Sequence, residues 1–408
     1  MMLTKIAWRN IWRNKLRSSV VIFAIASGLV GGLFSSAWMN GMAIQRVQNT
    51  FALETAHIQF HHPQFSDNFD VKNTIEGTDR KLEELATTDG VKAVTSRMKI
   101  SAMAATANKN MGVTIVGVNP KTEKEVFDLY KKIDTASGNF FGSNKKNTIV
   151  ISKALAKELK VRLKSKIVLT FQDYNGEITG AAFKVVGIFK TDNSTWDKMH
   201  VFVKNSDLRK VVELPEDQSH EIAVLLNDYT QAADISKQLQ RKYPDILSED
   251  WSEIQPYVSF ITDYMDIMMG VFMAIILGAL GFGIVNTMLM VILERTKELG
   301  MLMAIGMNKN RVFIMIMLET IFLALVGAVL GEILSMFLIK HFGKTGIDIS
   351  SMAEGLESVG YSAITYPALE AYRYIQITVM VLIAAILASI YPALKALKLN
   401  PSEAIRTV

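Results

Sequence analysis

The chain has 408 residues, half of them apolar, with 22 methionines, no cysteine and a formal net charge of +5. That apolar share is too high for an ordinary soluble enzyme, and the lack of cysteine excludes disulfides, thiolate metal sites and cysteine nucleophiles. The modest positive balance is explained by basic residues flanking apolar runs and makes no case for nucleic acid as a partner.

Residues 1–18 open the chain as an amphipathic helix. At about 100° per residue, Leu3, Ala7, Trp8, Ile11 and Trp12 fill one arc, and Lys5, Arg9, Arg13 and Arg17 the other, a pattern suited to the headgroup level of a membrane. No charge lies between Arg17 and Arg46, so residues 19–44 can form a first span, which takes about 20 helical residues. The apolar run is longer than the 7–15 residues or so of a signal-peptide core, and a retained anchor is expected.

Residues 45–258 have the composition of a soluble domain, enough for one or two cores. Strand-like runs occur at 56–60, 113–118, 166–172, 182–189, 200–203 and 221–226, and helix-like runs at 80–87, 122–132, 153–159 and 230–243. Asn175-Gly176 between two apolar-rich runs predicts a tight two-residue hairpin.

Three further apolar stretches crowd the C-terminal third. Residues 259–293 form the second span, 294–311 a short loop, 312–340 a third span interrupted only by Glu319 and Glu332, and 373–395 a fourth. Between the last two lies a loop, 341–372, carrying Glu354, Glu357, Tyr361 and Tyr366, which reads as a lid or packing element on the large domain. A tail, 396–408, ends the chain. The fold class is therefore membrane α-helical, four transmembrane helices in a one-plus-three order, with a large mixed α/β extracytoplasmic domain in the first loop.

Lys and Arg decide the orientation. Lys5, Arg9, Arg13, Lys15 and Arg17 precede the first span, Arg295, Lys297, Lys309 and Arg311 fill the short loop, and Lys395, Lys398 and Arg406 follow the last span. Both termini and the short loop are expected on the cytoplasmic side, with the large domain outside, in the inner membrane of a bacterium. At about 1.5 Å per residue from Arg311, Glu332 lies near the far interface, whereas Glu319 lies roughly 12 Å in. A charge at that depth should be paired or face the bundle, with a hydrogen bond to the short loop region as the expected solution. Gly327 and Gly331 form a small-xxx-small pair that allows close helix approach, and Gly278, Gly281 and Gly283 suggest either the same or bending in the second span.

The most specific local pattern is residues 294–312, ERTKELGMLMAIGMNKNRV. Glu294, Arg295, Lys297 and Glu298 alternate in sign, Leu299, Leu302 and Ile305 form an apolar row, and Gly306 can end the helical turn. Taken alone, it is either a helix offering a charged face to a cytosolic partner or a solvated connector. The loop resembles the Glu-x-x-x-Glu-Ile/Leu-Gly-x-Leu-x-Ala-x-Gly signature of the FtsX/MacB-type permeases of ABC transporters, through Glu294, Glu298, Leu299, Gly300, Leu302, Ala304 and Gly306. The C-terminal YPALKALKLNPSEAIR resembles that family's ending through Pro392, Ala393, Ala396, Pro401, Ala404 and Arg406, and AWRNIWRNKLRS resembles its N-terminal helix. Length and the stretch HIQFHHPQF (57–65) look most like the lipoprotein-releasing, LolC/LolE-like permeases.

The resemblance implies a subunit of a mechanotransmission-type ABC transporter with no ATP site of its own. ATP and magnesium would sit on a pair of cytosolic ATPase subunits coupled through Glu294, Arg295, Lys297, Glu298, Leu299, Gly300, Leu302 and Gly306. A second permease, either the same chain or a sister, would complete it, and the outer domain would divide into a porter-like part and an inserted β-rich distal part. The leading expectation is release of lipoproteins from the outer leaflet of the inner membrane, amid membrane lipids, with candidate cavity residues Leu29, Leu33, Phe34, Met39, Met268 and Phe272. Alternatives are export of antimicrobial peptides or other amphipaths from the periplasm, and a non-transporting FtsX-like transducer controlling an envelope hydrolase. Residues 166–189 leave no room for the hook by which one lipoprotein permease recruits its periplasmic carrier, so direct recruitment by this chain is not expected.

Other signals carry less. Gly343-Lys344-Thr345 lacks the glycine a phosphate loop needs at Leu338, and His57, His61 and His62 lack a further ligand for metal. Neither a G-x-S-x-G nor an H-E-x-x-H motif is present, so no catalytic residue is assigned.

Overall fold

The computed structural model describes residues 2–397 apart from 14, 108 and 142–144. Lys398, Pro401, Ala404 and Arg406 lie outside the described residues, as does the side chain of Arg17. The chain divides into two compact units, one of Met1–Ala43, Tyr264–Asp348 and Ile364–Val408, the other of Ile44–Asp263 and Ile349–Ala363.

The first unit is helical. Among the described residues, four helices are long and apolar enough to cross a membrane: Ser18–Thr55, Pro256–Glu294, Lys309–Thr345 and Ala371–Leu397. They begin and end beyond the uncharged runs, because polar flanks continue a helix once its apolar stretch has nucleated it. Val21, Ile25, Leu29, Leu33 and Ala37 recur every four residues on the first span and Leu280, Ile284, Met288 and Ile292 on the second, and together they build one core with the third and fourth. A Cβ on Gly327 would lie 3.0 Å from the Ile22 carbonyl oxygen, and one on Gly331 2.9 Å from that of Ala26, so these glycines let two backbones touch. The second-span glycines do something else. A Cβ on Gly278 or Gly283 would meet nothing within 4 Å, and one on Gly281 only the Ala388 methyl at 3.9 Å. Within this chain no backbone comes close there: Gly278 and Gly283 face open space, and Gly281 meets the fourth helix only at ordinary contact distance.

The N-terminal helix Met2–Arg13 packs Ala7 and Ile11 into this core, while Trp8 and Trp12 stay largely exposed and Trp8 stands edge-on to Phe322. Pro392, Ala393 and Ala396 of the C-terminal motif are buried in the fourth helix. Residues 364–370 are tied to the first span: Trp38 Nε1 donates to Thr365 Oγ1 (2.7 Å) and Ala368 N to the Ala37 carbonyl (2.9 Å).

The second unit is mixed α/β. Ile58–His61, Thr78–Ala86, Val91–Ala105, Glu221–Leu226, Ala232–Lys242 and Leu247–Asp250 run strand-helix-strand, strand-helix-strand. The four strands lie antiparallel in the order fourth, first, third, second, a ferredoxin-like split βαβ arrangement. Everything between Ala105 and Glu221 is inserted, and the 15-residue strand Val91–Ala105 is the spine of both parts. Arg97 pairs with Glu221 in the first part, and Ala102 pairs with Phe171 of the insert. Sequence reading missed this strand, since VKAVTSRMKISAMAA is rich in alanine, serine and lysine and poor in the β-branched and aromatic residues that mark strands.

The hairpin at Asn175-Gly176 also differs from expectation. Gln172 pairs with Ile178, and the chain closes by a turn in which Gly176 N donates to the Asp173 carbonyl (3.1 Å) and only Gly176 has positive φ (93°). A two-residue type I′ turn needs positive φ at both positions. Asp173 Oδ1 instead accepts from Asn175 N and Glu177 N, each at 2.9 Å, and holds the wider loop, which stays too short to form a hook. The segment 349–363 belongs to this unit, joined by Lys190–Glu357 (2.8 Å) and by Thr195 Oγ1 donating to the Ser358 carbonyl (2.9 Å).

Candidate functional site

The short loop is built on a nine-residue helix, Thr296–Ala304, between the second and third spans. Its end follows from one glycine. Gly306 sits at φ 103°, its N–H donates to the Met303 carbonyl (3.1 Å) and the Met307 N–H to that of Leu302 (3.0 Å), the paired bonds of a Schellman stop. Asn308 then caps the third span through Asn310 N.

Its beginning is held by charge. Arg295, 6 % exposed, turns inward and uses two edges of its guanidinium: Nε donates to Glu298 Oε2 (3.0 Å) and Nη1 to Glu319 Oε2 (2.7 Å). Glu319 Oε1 accepts from Asn10 Nδ2 (2.7 Å), and Glu298 pairs with Arg13. Burial alone would lower the Arg295 pKa, but Glu319 and Glu298 hold it above its usual value. Partial burial would likewise raise that of Glu298, and Arg295 and Arg13 hold it down. A guanidinium shared by two carboxylates is a rigid, directional joint. Three elements, the N-terminal helix, the loop helix and the third span that follows it, are thereby pinned at one point. Glu319 thus has the pairing its depth demanded. Its partner Asn10 carried no sequence signal beyond lying on the amphipathic helix.

The loop residues divide into two faces. Leu299 and Gly300 are buried, Leu302 is half-buried, and Glu294, Lys297, Glu298 and Gly306 are exposed. The expected row of Leu299, Leu302 and Ile305 does not hold together, because Ile305 follows the last helical turn and is 80 % exposed. A different row is presented outward, Lys297, Met301 and Ile305, spaced by four. Met301 is 56 % exposed and was not singled out from sequence. This face is an exposed surface on a helix held at its start by buried charge.

The cavity residues fall in two environments. Leu29 and Leu33 are fully buried in the four-helix core and Phe34 stacks edge-on against Phe342. Met39 is half-buried, and Met268 and Phe272 are exposed on the second span. Within one chain the six are not brought together.

Comparison with known proteins bears on both units. The family model for the MacB-like periplasmic core domain matches residues 18–242 and that for the FtsX-like permease C-terminal region matches 270–401. The chain is 23 % identical to the lipoprotein-releasing system transmembrane protein LolE of Haemophilus influenzae over 77 % of each chain. It is 24 % identical to the macrolide export ATP-binding/permease protein MacB of Campylobacter jejuni (strain 81-176) over 98 % of this chain, and spans 60 % of that protein's length. Among solved structures, the periplasmic region of MacB from Actinobacillus actinomycetemcomitans aligns with 53 % of this chain and 98 % of its own, at 12 % identity and a TM-score of 0.36.

Proposed function

The chain belongs to the ABC-transporter permeases that carry a MacB-like periplasmic core domain and an FtsX-like C-terminal region, and on that premise we propose that it releases lipoproteins from the outer leaflet of a bacterial inner membrane. Separate cytosolic ATPase subunits, with their ATP and magnesium, drive it, and a second permease completes the pair. Both termini and the short loop face the cytoplasm, where the Lys and Arg bias puts them.

The observation that carries this reading is the exposed row Lys297, Met301 and Ile305 on a helix braced by Arg295, Glu319 and Asn10. A partner pressing on that row moves the second span, the third span and the N-terminal helix as one body, which is what conversion of ATPase closure into motion requires. Lipoproteins are favoured as cargo by the likeness to LolE over equal shares of both chains. The likeness to MacB across nearly all of this chain supports a second reading, export of amphipaths such as macrolides or peptides.

The double substitution Met301→Asp and Ile305→Asp tests the docking face. Both side chains are exposed, so thermal stability should stay unchanged while the ATPase no longer co-purifies; retained ATPase with full coupling would reject the face. Depletion of the protein should leave mature lipoproteins in the inner membrane. Normal lipoprotein sorting together with heightened sensitivity to macrolides or antimicrobial peptides would move the assignment to amphipath export.

A further inference from the structure

A second feature of the helical unit lies at the opposite ends of its spans from the loop helix. The second and fourth spans face each other there with the same spacing. Asp266, Met269, Gly270 and Met273 occupy i, i+3, i+4 and i+7 of one helix, and Arg373, Gln376, Ile377 and Met380 the same positions of the other. With Ser36 of the first span they line a cavity of about 70 Å³.

Its walls grade from charged to apolar over two helical turns, roughly 10 Å at 1.5 Å per residue. At the outer end Arg373 pairs with Asp266, the two side chains 16 % and 68 % exposed, and the guanidinium carbon lies 5.0 Å from the Tyr372 ring centre. Below them are Met269, Met273, Ile377 and Met380, long, polarisable and adaptable side chains suited to hydrocarbon. Two glycines shape the space. A Cβ on Gly32 would come within 3.1 Å of Met273 Cε, so the bare backbone lets that thioether lie flat on the first span. A Cβ on Gly270 would meet nothing within 4 Å, so the missing side chain is the open side of the cleft. Tyr264 and Tyr372 are exposed beside the charged pair, the level at which aromatic residues meet lipid headgroups.

We propose that this cleft is a binding site for a zwitterionic phospholipid, with the phosphate on Arg373, the headgroup ammonium on Asp266, and the first carbons of one acyl chain against Met269, Met273 and Met380. Charge complementarity selects the occupant. A guanidinium grips a phosphate by two parallel hydrogen bonds, and the more exposed carboxylate is free to turn to an ammonium. A simple anion would meet Asp266, and a hydrocarbon would leave both charges without a new partner. The inference requires only that these helices cross a bilayer, and stands or falls independently of cargo and ATPase.

The test uses the full-length chain in nanodiscs containing equal amounts of phosphatidylethanolamine and phosphatidylglycerol, with tightly held lipid counted by native mass spectrometry. The wild type should retain phosphatidylethanolamine preferentially. Gly270→Leu, whose Cβ would stand in open space at the cleft, should lose it, whereas Gly278→Leu, with a Cβ equally open and outside the cleft, should keep it. Arg373→Gln should reduce retention by about tenfold, the scale of one charge-assisted hydrogen bond. Asp266→Asn should turn the preference toward phosphatidylglycerol. Equal retention of both lipids by the wild type, or unchanged phosphatidylethanolamine in a folded Gly270→Leu, would overturn the proposal.

Discussion

Both units bury charge, but they do so differently. In the helical unit the network runs from the buried Arg295–Glu319 pair out to Glu298 and Arg13, whose side chains are half-exposed. In the large unit Arg97, Glu123 and Glu221 are enclosed: Arg97 Nε lies 3.1 Å from Glu123 Oε1, its guanidinium stacks 3.3 Å over Phe127, and Glu221 pairs with Lys99 and, at 3.4 Å, with His61. The first network ends in water and can exchange partners; the second is closed and holds two halves of a sheet in register. One has the properties of a joint, the other of a keystone. Histidine sharpens the contrast, since five of the six, His57, His61, His62, His200 and His220, lie in the large unit and only His341 in the helical one.

Acid should separate the two units most strongly. Burial lowers the pKa of His57, His200 and His220 from 6.5 to about 4 each. The unfolded chain takes up these protons at 6.5 and the folded one only near 4, so the stability they contribute is present above 6.5 and lost as pH falls between those values. His61 runs the other way. Burial would lower it, but the Glu221 and Glu249 carboxylates, which accept from its ring, hold it above 6.5, so its contribution persists in acid and fades as pH rises. Hydrogen exchange on the full chain at pH 7 and pH 4.5 should show the strands of the large unit losing protection while the four long helices keep theirs; equal loss in both would erase the distinction.

Next in size is the keystone itself. Glu221→Ala takes a fully buried carboxylate from Lys99, Arg97 and His61 at once; Arg97 keeps Glu123 but Lys99 loses its ion pair, and the change should cost about 3–5 kcal/mol, read as lost exchange protection along Val91–Ala105. Glu319→Ala should cost less, about 1.5–3 kcal/mol, because Arg295 keeps Glu298. It should also free the N-terminal helix, and the double substitution Arg295→Met with Glu319→Leu should restore much of the loss, since no charge is then left unpaired. Arg13→Ala removes a pair between largely exposed side chains and should change stability by no more than about 1 kcal/mol, with an effect that salt erases.

How much of this was legible depended on range. The four spans, the loop helix and its glycine stop follow from charge gaps and local spacing, and the need of Glu319 for a partner follows from its depth. The identity of the partners does not: Asn10 and Arg295 lie 309 and 24 residues away along the chain. The ferredoxin-like strand order was hidden because a long insert separates its second and third strands, and because the spine strand carries little β-propensity. The outward position of Lys297, Met301 and Ile305 was missed because periodicity does not say which arc of a short helix its neighbours cover.

By itself, then, the sequence determined how many times the chain can cross a bilayer, where its soluble mass lies and which loop carries the short charged helix, since these depend on composition and on residues within a few turns of one another. Tertiary structure decided which charges meet, which glycines face a backbone and which face open space, and that Asp266 and Arg373 stand together above a bed of methionines. Those are relations between elements that chain order does not set side by side, and only packing fixes their geometry.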